Sequence, residues 1–250
     1  MNKLVWTRDL ATKAKVLFFD LGETLVTQNI ESNMVTSKAL KQIAKILPKG
    51  VPIRRLSGIY SQGYRTNQAI RSRHHVEIPI ETWMFRLLRT ALGTEPSKQL
   101  ARKAITMVVN ARAANTVTFP DSREAVRTLA KGRAKLGIIS NVSSHEVALS
   151  ILQKAGLKKY FDTVVTSALT GIRKPDVGIF RYALSQFNIR PQEAVLIGDS
   201  EHHDIEGGYA AGLRTVLIKR KHKPEATIAD YHFRDLKSAL STLQQLQPIS

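Results

Sequence analysis

Two aspartates stand where apolar runs give way to polar turns, and a third aspartate and a lysine lie in polar stretches. Asp20 follows VLFF (16–19), Asp199 follows AVLIG (194–198), Asp204 lies five residues beyond, and Lys174 sits in GIRKPD (171–176). Carboxylates at the ends of buried strands suit two chemistries. One is nucleophilic attack with a covalent intermediate. The other is coordination of a hard divalent ion such as Mg²⁺, which takes oxygen ligands and uses one or two protein carboxylates. A lysine supplies a compact opposite charge. Two opposite unit charges 4 Å apart attract by roughly 4 kcal/mol at an effective dielectric of 20, so an acid that attacks an anionic group needs such cations at hand. Taken singly, Asp20 also reads as a turn or capping acid, Lys174 as a surface lysine and Ser140 as a capping serine.

The elements around these residues follow one rhythm. Short, fully apolar runs bounded by polar turns predict buried strands at 15–20, 135–141, 162–167, 193–200 and 214–219, with a weaker one at 230–236. Helical patterns lie between them. One follows Phe119-Pro120 with Asp121 as its N-cap, one is capped by Ser143 or Ser144 and stopped by Gly156, one opens with Pro175 in its first turn, and one ends near Gly212. Alternation from about residue 118 onward predicts parallel strands with right-handed crossovers and helices on both faces. Ligands of such sheets sit beyond the carboxyl ends of the strands. The polar residues expected on that edge are Asp20, Ser140-Asn141, Ser167 and Asp199-Ser200. Residues 27–117 break the rhythm, with four helical stretches (32–47, 53–73, 79–92 and 96–114), no convincing strand, and joints at Pro48, Pro52, Pro79, Gly93 and Pro96.

FFDLGETL, IISN, GIRKP and IGDSEHHDIEGGYAAGL, in that order, resemble the haloacid dehalogenase superfamily of aspartyl-nucleophile hydrolases, in the branch with a helical cap inserted after the first motif. The resemblance covers nearly the whole chain. It implies an α/β Rossmann-like core built from residues 1–26 and 118–250, with an all-helical cap at 27–117. It also implies roles. Asp20 is the nucleophile, forming an aspartyl-phosphate. Asp20, the Gly22 carbonyl and Asp199 are Mg²⁺ ligands, and Asp204 either ligates through water or orients the lysine. Lys174 neutralises Asp20 and a phosphoryl oxygen. Ser140 and the Asn141 N–H donate to the phosphoryl group, and Thr24 fixes the loop through a local hydrogen bond. The chain departs from the phosphatase pattern at Gly22, where those relatives carry a second aspartate that protonates the leaving group. Such help is worth about 10²–10⁴-fold. Its absence implies an acyl or aryl phosphate substrate, another acid such as Glu23 or a cap residue, or slow turnover. Glu201, His202 and His203 read as solvated loop residues rather than a transition-metal site.

Composition bounds the rest. The chain has 250 residues, no cysteine and 38 basic against 20 acidic residues, a net charge of +18. Disulfides, thiolate metal sites and a cysteine nucleophile are excluded. No apolar run reaches the ~18 residues of a membrane span, and the first residues lack a leader pattern, so the expectation is a cytoplasmic protein with no membrane partner. The charge favours anionic partners, a phosphorylated small molecule first and nucleic acid as an alternative. It is densest at 48–76, which carries Lys49, Arg54, Arg55, Arg65, Arg71 and Arg73 and no acid, and at KRKHK (219–223). Arg65, Arg71, Arg73, His74 and His75 are candidates to meet an anionic substrate tail. Two rivals stay open. One is a metal-independent 2-haloacid dehalogenase, which also lacks the second aspartate. The other is a catalytically weakened member that binds nucleic acid or protein. The sequence assigns no oligomeric state.

Overall fold

Val16–Phe19 form β1, the strand around which the protein is organised, and every side chain of it is buried. Alternation sends Val16 and Phe18 to one face of the sheet and Leu17 and Phe19 to the other, and each face has its own apolar cluster. That is why the run is uninterrupted rather than alternating with polar residues. The computed structural model describes residues 13–48, 51–220 and 227–248.

β1 is flanked in parallel register by β4 (Lys135–Ser140) and β6 (Ala194–Gly198), with Phe19 level with Ile138 on one side and Ile197 on the other. β5 (Thr163–Thr166) lies outside β4, and β7 (Arg214–Ile218) and β8 (Tyr231–Phe233) lie beyond β6, giving the order β5-β4-β1-β6-β7-β8. The strand order reverses direction beside β1, so the carboxyl ends of β1, β4 and β6 open a crevice. Helices α5 (Pro120–Leu129), α6 (His145–Lys154) and α10 (Leu236–Leu246) pack on the Leu17/Phe19 face. α8 (Val177–Ser185) packs on the other, through Ile179, Phe180, Ala183 and Leu184. Two short helices, α7 (Ser167–Thr170) and α9 (Gly207–Ala210), follow β5 and a π-helical turn at Glu201–Glu206. The α/β architecture expected from the alternation is present.

Between β1 and α5 the chain forms α1 (Ser32–Ile46), α2 (Ile53–His74), α3 (Ile80–Leu92) and α4 (Lys98–Ala114), with a separate apolar cluster that includes Leu40, Ile43, Leu56, Met84, Leu88 and Ala104. This helical insert is not strand-free. β2 (Val26–Gln28) and β3 (Thr116–Thr118) pair antiparallel, Val26 with Thr118 and Gln28 with Thr116, so the chain's exit and return are stitched together. The expected boundaries at 26/27 and 117/118 fall inside this ribbon. The insert is fastened at a second point. The Glu77 N–H donates to Gly171 O (2.8 Å), Arg173 N–H to His75 O (2.8 Å) and Ile80 N–H to Ser143 O (2.6 Å).

Two capping expectations are corrected. The N-cap of α5 is Phe119, with Pro120 in the first turn, and Asp121 is held elsewhere by Arg220. Pro175 lies outside α8, after a cis Lys174–Pro175 bond, and Asp176 is the cap, accepting from Gly178 N–H at 2.8 Å. Ser144 caps α6 as expected, accepting from Val147 N–H. No helix among the described residues is long and apolar enough to cross a membrane.

Candidate active site

Asp20 is the first residue past β1, and its N–H still donates to Ile197 O of β6 (2.8 Å), which anchors it at the sheet edge. Asp199 is the first residue past β6. Asp204 reaches back from the π-helical turn, and Gly198 makes its approach possible: a Cβ there would meet the Asp204 carboxyl carbon at 2.3 Å. Oxygens of Asp20, Asp199 and Asp204 all lie within 4.8 Å of one another.

Lys174 stands among them, 2% exposed. Its Nζ donates to Asp20 Oδ1 at 2.7 Å, to Asp204 Oδ1 at 2.6 Å and to Ile139 O at 2.8 Å. An ammonium has three protons, and all three are spent, so Lys174 acts on a substrate by its charge rather than through a free N–H. Asp204 is equally committed, its Oδ2 accepting from Ser200 N–H at 3.0 Å. Burial drags the Lys174 pKa down, but the charges of Asp20 and Asp204 more than reverse this and hold it above the ordinary lysine value. Burial pushes Asp20 up to about 6, against the pull of Lys174. Burial, with the charges of Asp20 and Asp204, pushes Asp199 up to about 7. Three carboxylates thus gather around one ammonium.

The remaining expected residues also gather here, some through contacts that differ from expectation. Thr24 is fully buried, yet its hydroxyl reaches Asp199 Oδ1 (3.4 Å), 175 residues away, rather than a local partner. Asn141 works through its side chain. Oδ1 accepts from Lys174 N–H and Nδ2 donates to Lys174 O, both at 2.9 Å, a cyclic pair that fixes the lysine backbone. Ser140, 5% exposed, ends β4, and its hydroxyl has no hydrogen-bond partner among the described residues. Gly22 is exposed, its φ lies outside the left-handed region, and nothing lies within 4 Å of where a Cβ would be. Glu23, at φ 54°, accepts from the Thr27 hydroxyl (2.7 Å) and bonds to none of the three aspartates.

The family model of haloacid dehalogenase-like hydrolases matches residues 14–212. The chain belongs to this family. It is 25% identical over 238 residues to glyceraldehyde 3-phosphate phosphatase of Pyrococcus furiosus, across 93% of this chain and 94% of that one. Phosphoserine phosphatase of Thermus thermophilus is 36% identical over 110 residues, 43% of this chain and 44% of that one. Among solved structures, a 2-haloacid dehalogenase from Pseudomonas syringae superposes with TM-score 0.70 at 26% identity, covering 93% of this chain and 98% of that one. A HAD phosphatase from Thermococcus onnurineus superposes with TM-score 0.67 at 21% identity, covering 94% and 100%, a likeness of fold.

Three contacts of this haloacid dehalogenase-like hydrolase had no sequence expectation. Lys219 Nζ lies 3.3 Å from Asp199 O. Arg220 donates to both Asp121 oxygens (3.0 and 3.2 Å) and to Thr24 O (2.9 Å), with its guanidinium 3.8 Å from the Phe119 ring centroid. Lys221, His222 and Lys223, the rest of that basic run, lie outside the described residues, as does Lys49. The third is Glu77, whose side chain is fully buried. Its Oε1 accepts from Arg71 Nε (3.0 Å) and Ile78 N–H (3.0 Å), and its Oε2 from the Ser167 hydroxyl (2.6 Å) and Arg173. Arg71, a candidate for a substrate tail or for solvent, is instead bonded to Glu77 as an internal fastening. His202 and His203 are exposed and pair locally, with Glu206 (2.8 Å) and Ser200 (3.1 Å), but they lie in the π-helical turn rather than a loop, and Glu201 is half-buried, accepting from the Thr227 hydroxyl at 2.9 Å.

Proposed function

We propose that the protein is a Mg²⁺-dependent phosphatase that hydrolyses a phosphorylated small molecule through an aspartyl-phosphate at Asp20. The observation that carries this reading is the set of three converging carboxylates, two buried and Asp199 half-buried, around a single, fully committed ammonium. The donors are all hard oxygens, and the net charge calls for a cation, so the residues fit the ion. Asp20, Asp199 and the Gly22 carbonyl would hold it, with Asp204 in support through Lys174. Mg²⁺ bound there would neutralise the surplus charge and that of the incoming phosphoryl group.

The protein's own residues then divide the work. An Asp20 oxygen attacks phosphorus, the bond to the leaving oxygen breaks, and water later cleaves the acyl phosphate and restores Asp20. Lys174 lowers the cost of bringing two anions together. The Ser140 hydroxyl and the Asn141 N–H serve a phosphoryl oxygen, and the Asn141 side chain keeps Lys174 in place. With glycine at 22, the leaving group takes its proton from solvent, which favours acyl or aryl phosphates. Residues 27–117 act as a cap over the crevice, fastened through Glu77 and the β2–β3 ribbon. Support comes from relatives named as phosphatases, one along nearly the full chain.

The test is a screen of phosphorylated metabolites, acyl and aryl phosphates included, with Mg²⁺ and with EDTA. Phosphate release that EDTA stops is expected. A second reading, halide release, is favoured by Gly22 and by the likeness to the Pseudomonas syringae dehalogenase. Halide release from 2-haloacids that persists in EDTA, without phosphate release from any substrate, would establish it instead.

A further inference from the structure

A cavity of about 340 Å³ opens within the helical insert, mainly between α2 and α3 and closed by Arg112 of α4. Its volume falls within the usual range for small-molecule sites. None of the three site aspartates, nor Lys174, lines it.

Three features of its lining are open to a ligand. Arg86 and Arg112 aim no guanidinium bond at any partner among the described residues, and no acid lines the cavity. Tyr60, Tyr64 and Trp83 form an aromatic wall, Tyr60 stacked on Tyr64 (centroids 6.1 Å, 20°) and edge-on to Trp83 (5.6 Å, 69°). Tyr64 nevertheless stays 47% exposed. Asn67 is 8% exposed, lines the cavity, and its carboxamide has no hydrogen bond among the described residues. Its carboxamide keeps access to the cavity, although Asn67 is one of only two buried residues along the 22 of α2. Gly63 adds to the case. It sits inside α2, where glycine is disfavoured, and no atom lies within 4 Å of the position its Cβ would take, so packing does not require it. It leaves the cavity wall open.

Aromatic faces, unpaired guanidiniums and a carboxamide are the three elements that read a nucleotide: base stacking, phosphate pairing and a base edge. We propose that this cavity binds a nucleoside monophosphate. Tyr64 and Trp83 supply the face for the base, Asn67 its edge contact, and Arg86 and Arg112 the counter-charge. Ser143, which also lines the cavity, lies three residues beyond Ser140, so an occupant would sit beside the rim of the carboxylate site. The site stands whether or not the aspartates hydrolyse a phosphate ester.

The test is calorimetric titration of the full-length protein in EDTA, which separates binding from turnover. The probes are 5′-AMP and 5′-UMP, with adenosine and inorganic phosphate as fragments. At least one nucleotide is expected to bind about tenfold or more tighter than either fragment. Arg86→Ala/Arg112→Ala, both on the surface of the helices, should weaken the nucleotide by about tenfold or more and leave adenosine unchanged. Gly63→Leu should weaken both by filling the cavity, and Asp20→Asn should leave both intact. In a Trp6→Phe background, the emission of Trp83 should change on binding. The inference is overturned if neither nucleotide binds, if correctly folded Arg86→Ala/Arg112→Ala and Gly63→Leu variants bind as the wild type does, or if Asp20→Asn removes the binding, which would place the nucleotide at the carboxylates.

Discussion

Two buried clusters of charge lie one residue apart along the chain, at Lys174 and at Arg173, and they are composed in opposite ways. Around Lys174, three carboxylates face one ammonium. Around Glu77, one carboxylate faces the guanidiniums of Arg71 and Arg173, and the Ser167 hydroxyl and the Ile78 N–H complete its shell. The Glu77 cluster is saturated: the carboxylate accepts from every side, and Arg71 spends a further donor on Ile78 O at 3.1 Å. The Lys174 cluster is not. Its cation is exhausted, while the Asp199 carboxyl, which burial drives up to about 7, meets the Thr24 hydroxyl at a long 3.4 Å among the described residues. A saturated buried cluster fastens structure, since nothing in it is left to react. An unsaturated one leaves carboxylate oxygens open to further partners, as the proposed phosphatase chemistry requires. The difference separates the fastening of the helical insert from the cluster of aspartates at the sheet edge.

Asp20→Asn gives the largest contrast. An amide is a far poorer nucleophile, and loss of such a group costs on the order of 10⁴-fold or more in turnover. Phosphate release should fall to background, while the urea midpoint shifts little, because the change removes one of three crowded negative charges. Full activity in this variant would exclude the covalent route.

Glu77→Ala should behave in the reverse way. Removing one partner of a buried ion pair typically costs about 3–5 kcal/mol, because the other charge is left uncompensated. Here two guanidiniums are left. A urea midpoint near that of the wild type would show that the Glu77 cluster is not the fastening described. Mg²⁺ distinguishes the clusters more finely. At about 100 times its dissociation constant, an ion that binds only the folded chain stabilises it by about 2.7 kcal/mol. That rise in melting temperature is expected in the wild type and absent in Asp199→Asn. An equal rise in Asp199→Asn would move the ion away from the three aspartates.

Much of this was legible beforehand, for a reason visible in the elements. The central strands of the sheet are buried on both faces, so each shows as an apolar run, and the acids that follow β1 and β6 mark the edge where the three aspartates meet. The four insert helices are bounded by proline and glycine and lie within a few residues of expectation. What was missed depends on partners distant in sequence. β2 and β3 have three residues each, too few for a period, and pair across the whole insert. Asp121 looked like a cap because nothing local shows Arg220, 99 residues on. Thr24 was given a local bond because Asp199 lies 175 residues away. Glu77 did carry a signal: it is the first acid after a long basic stretch, and such an acid is a natural counter-charge. Its partners Ser167 and Arg173, 90 and 96 residues away, could not be read from that.

Gly22→Asp asks whether the unsaturated cluster lacks a proton donor, and the effect expected is the smallest. The site has room for the side chain, since nothing lies within 4 Å of the Cβ position and the backbone there is unstrained for a non-glycine residue. General acid help reaches about 10²–10⁴-fold when the donor is well placed. An added carboxyl beside three others enters an already negative site and lacks a shell evolved to orient it, so a gain of about tenfold on alkyl phosphates is the reasonable expectation. Aryl and acyl phosphates, whose leaving groups need little protonation, should gain less. The ratio of the two rates is therefore the measurement to make. A rise in that ratio identifies the missing acid as the factor that limits alkyl esters. An unchanged ratio in a folded, Mg²⁺-binding variant would mean that protonation is supplied from elsewhere, with Glu23 the first residue to replace.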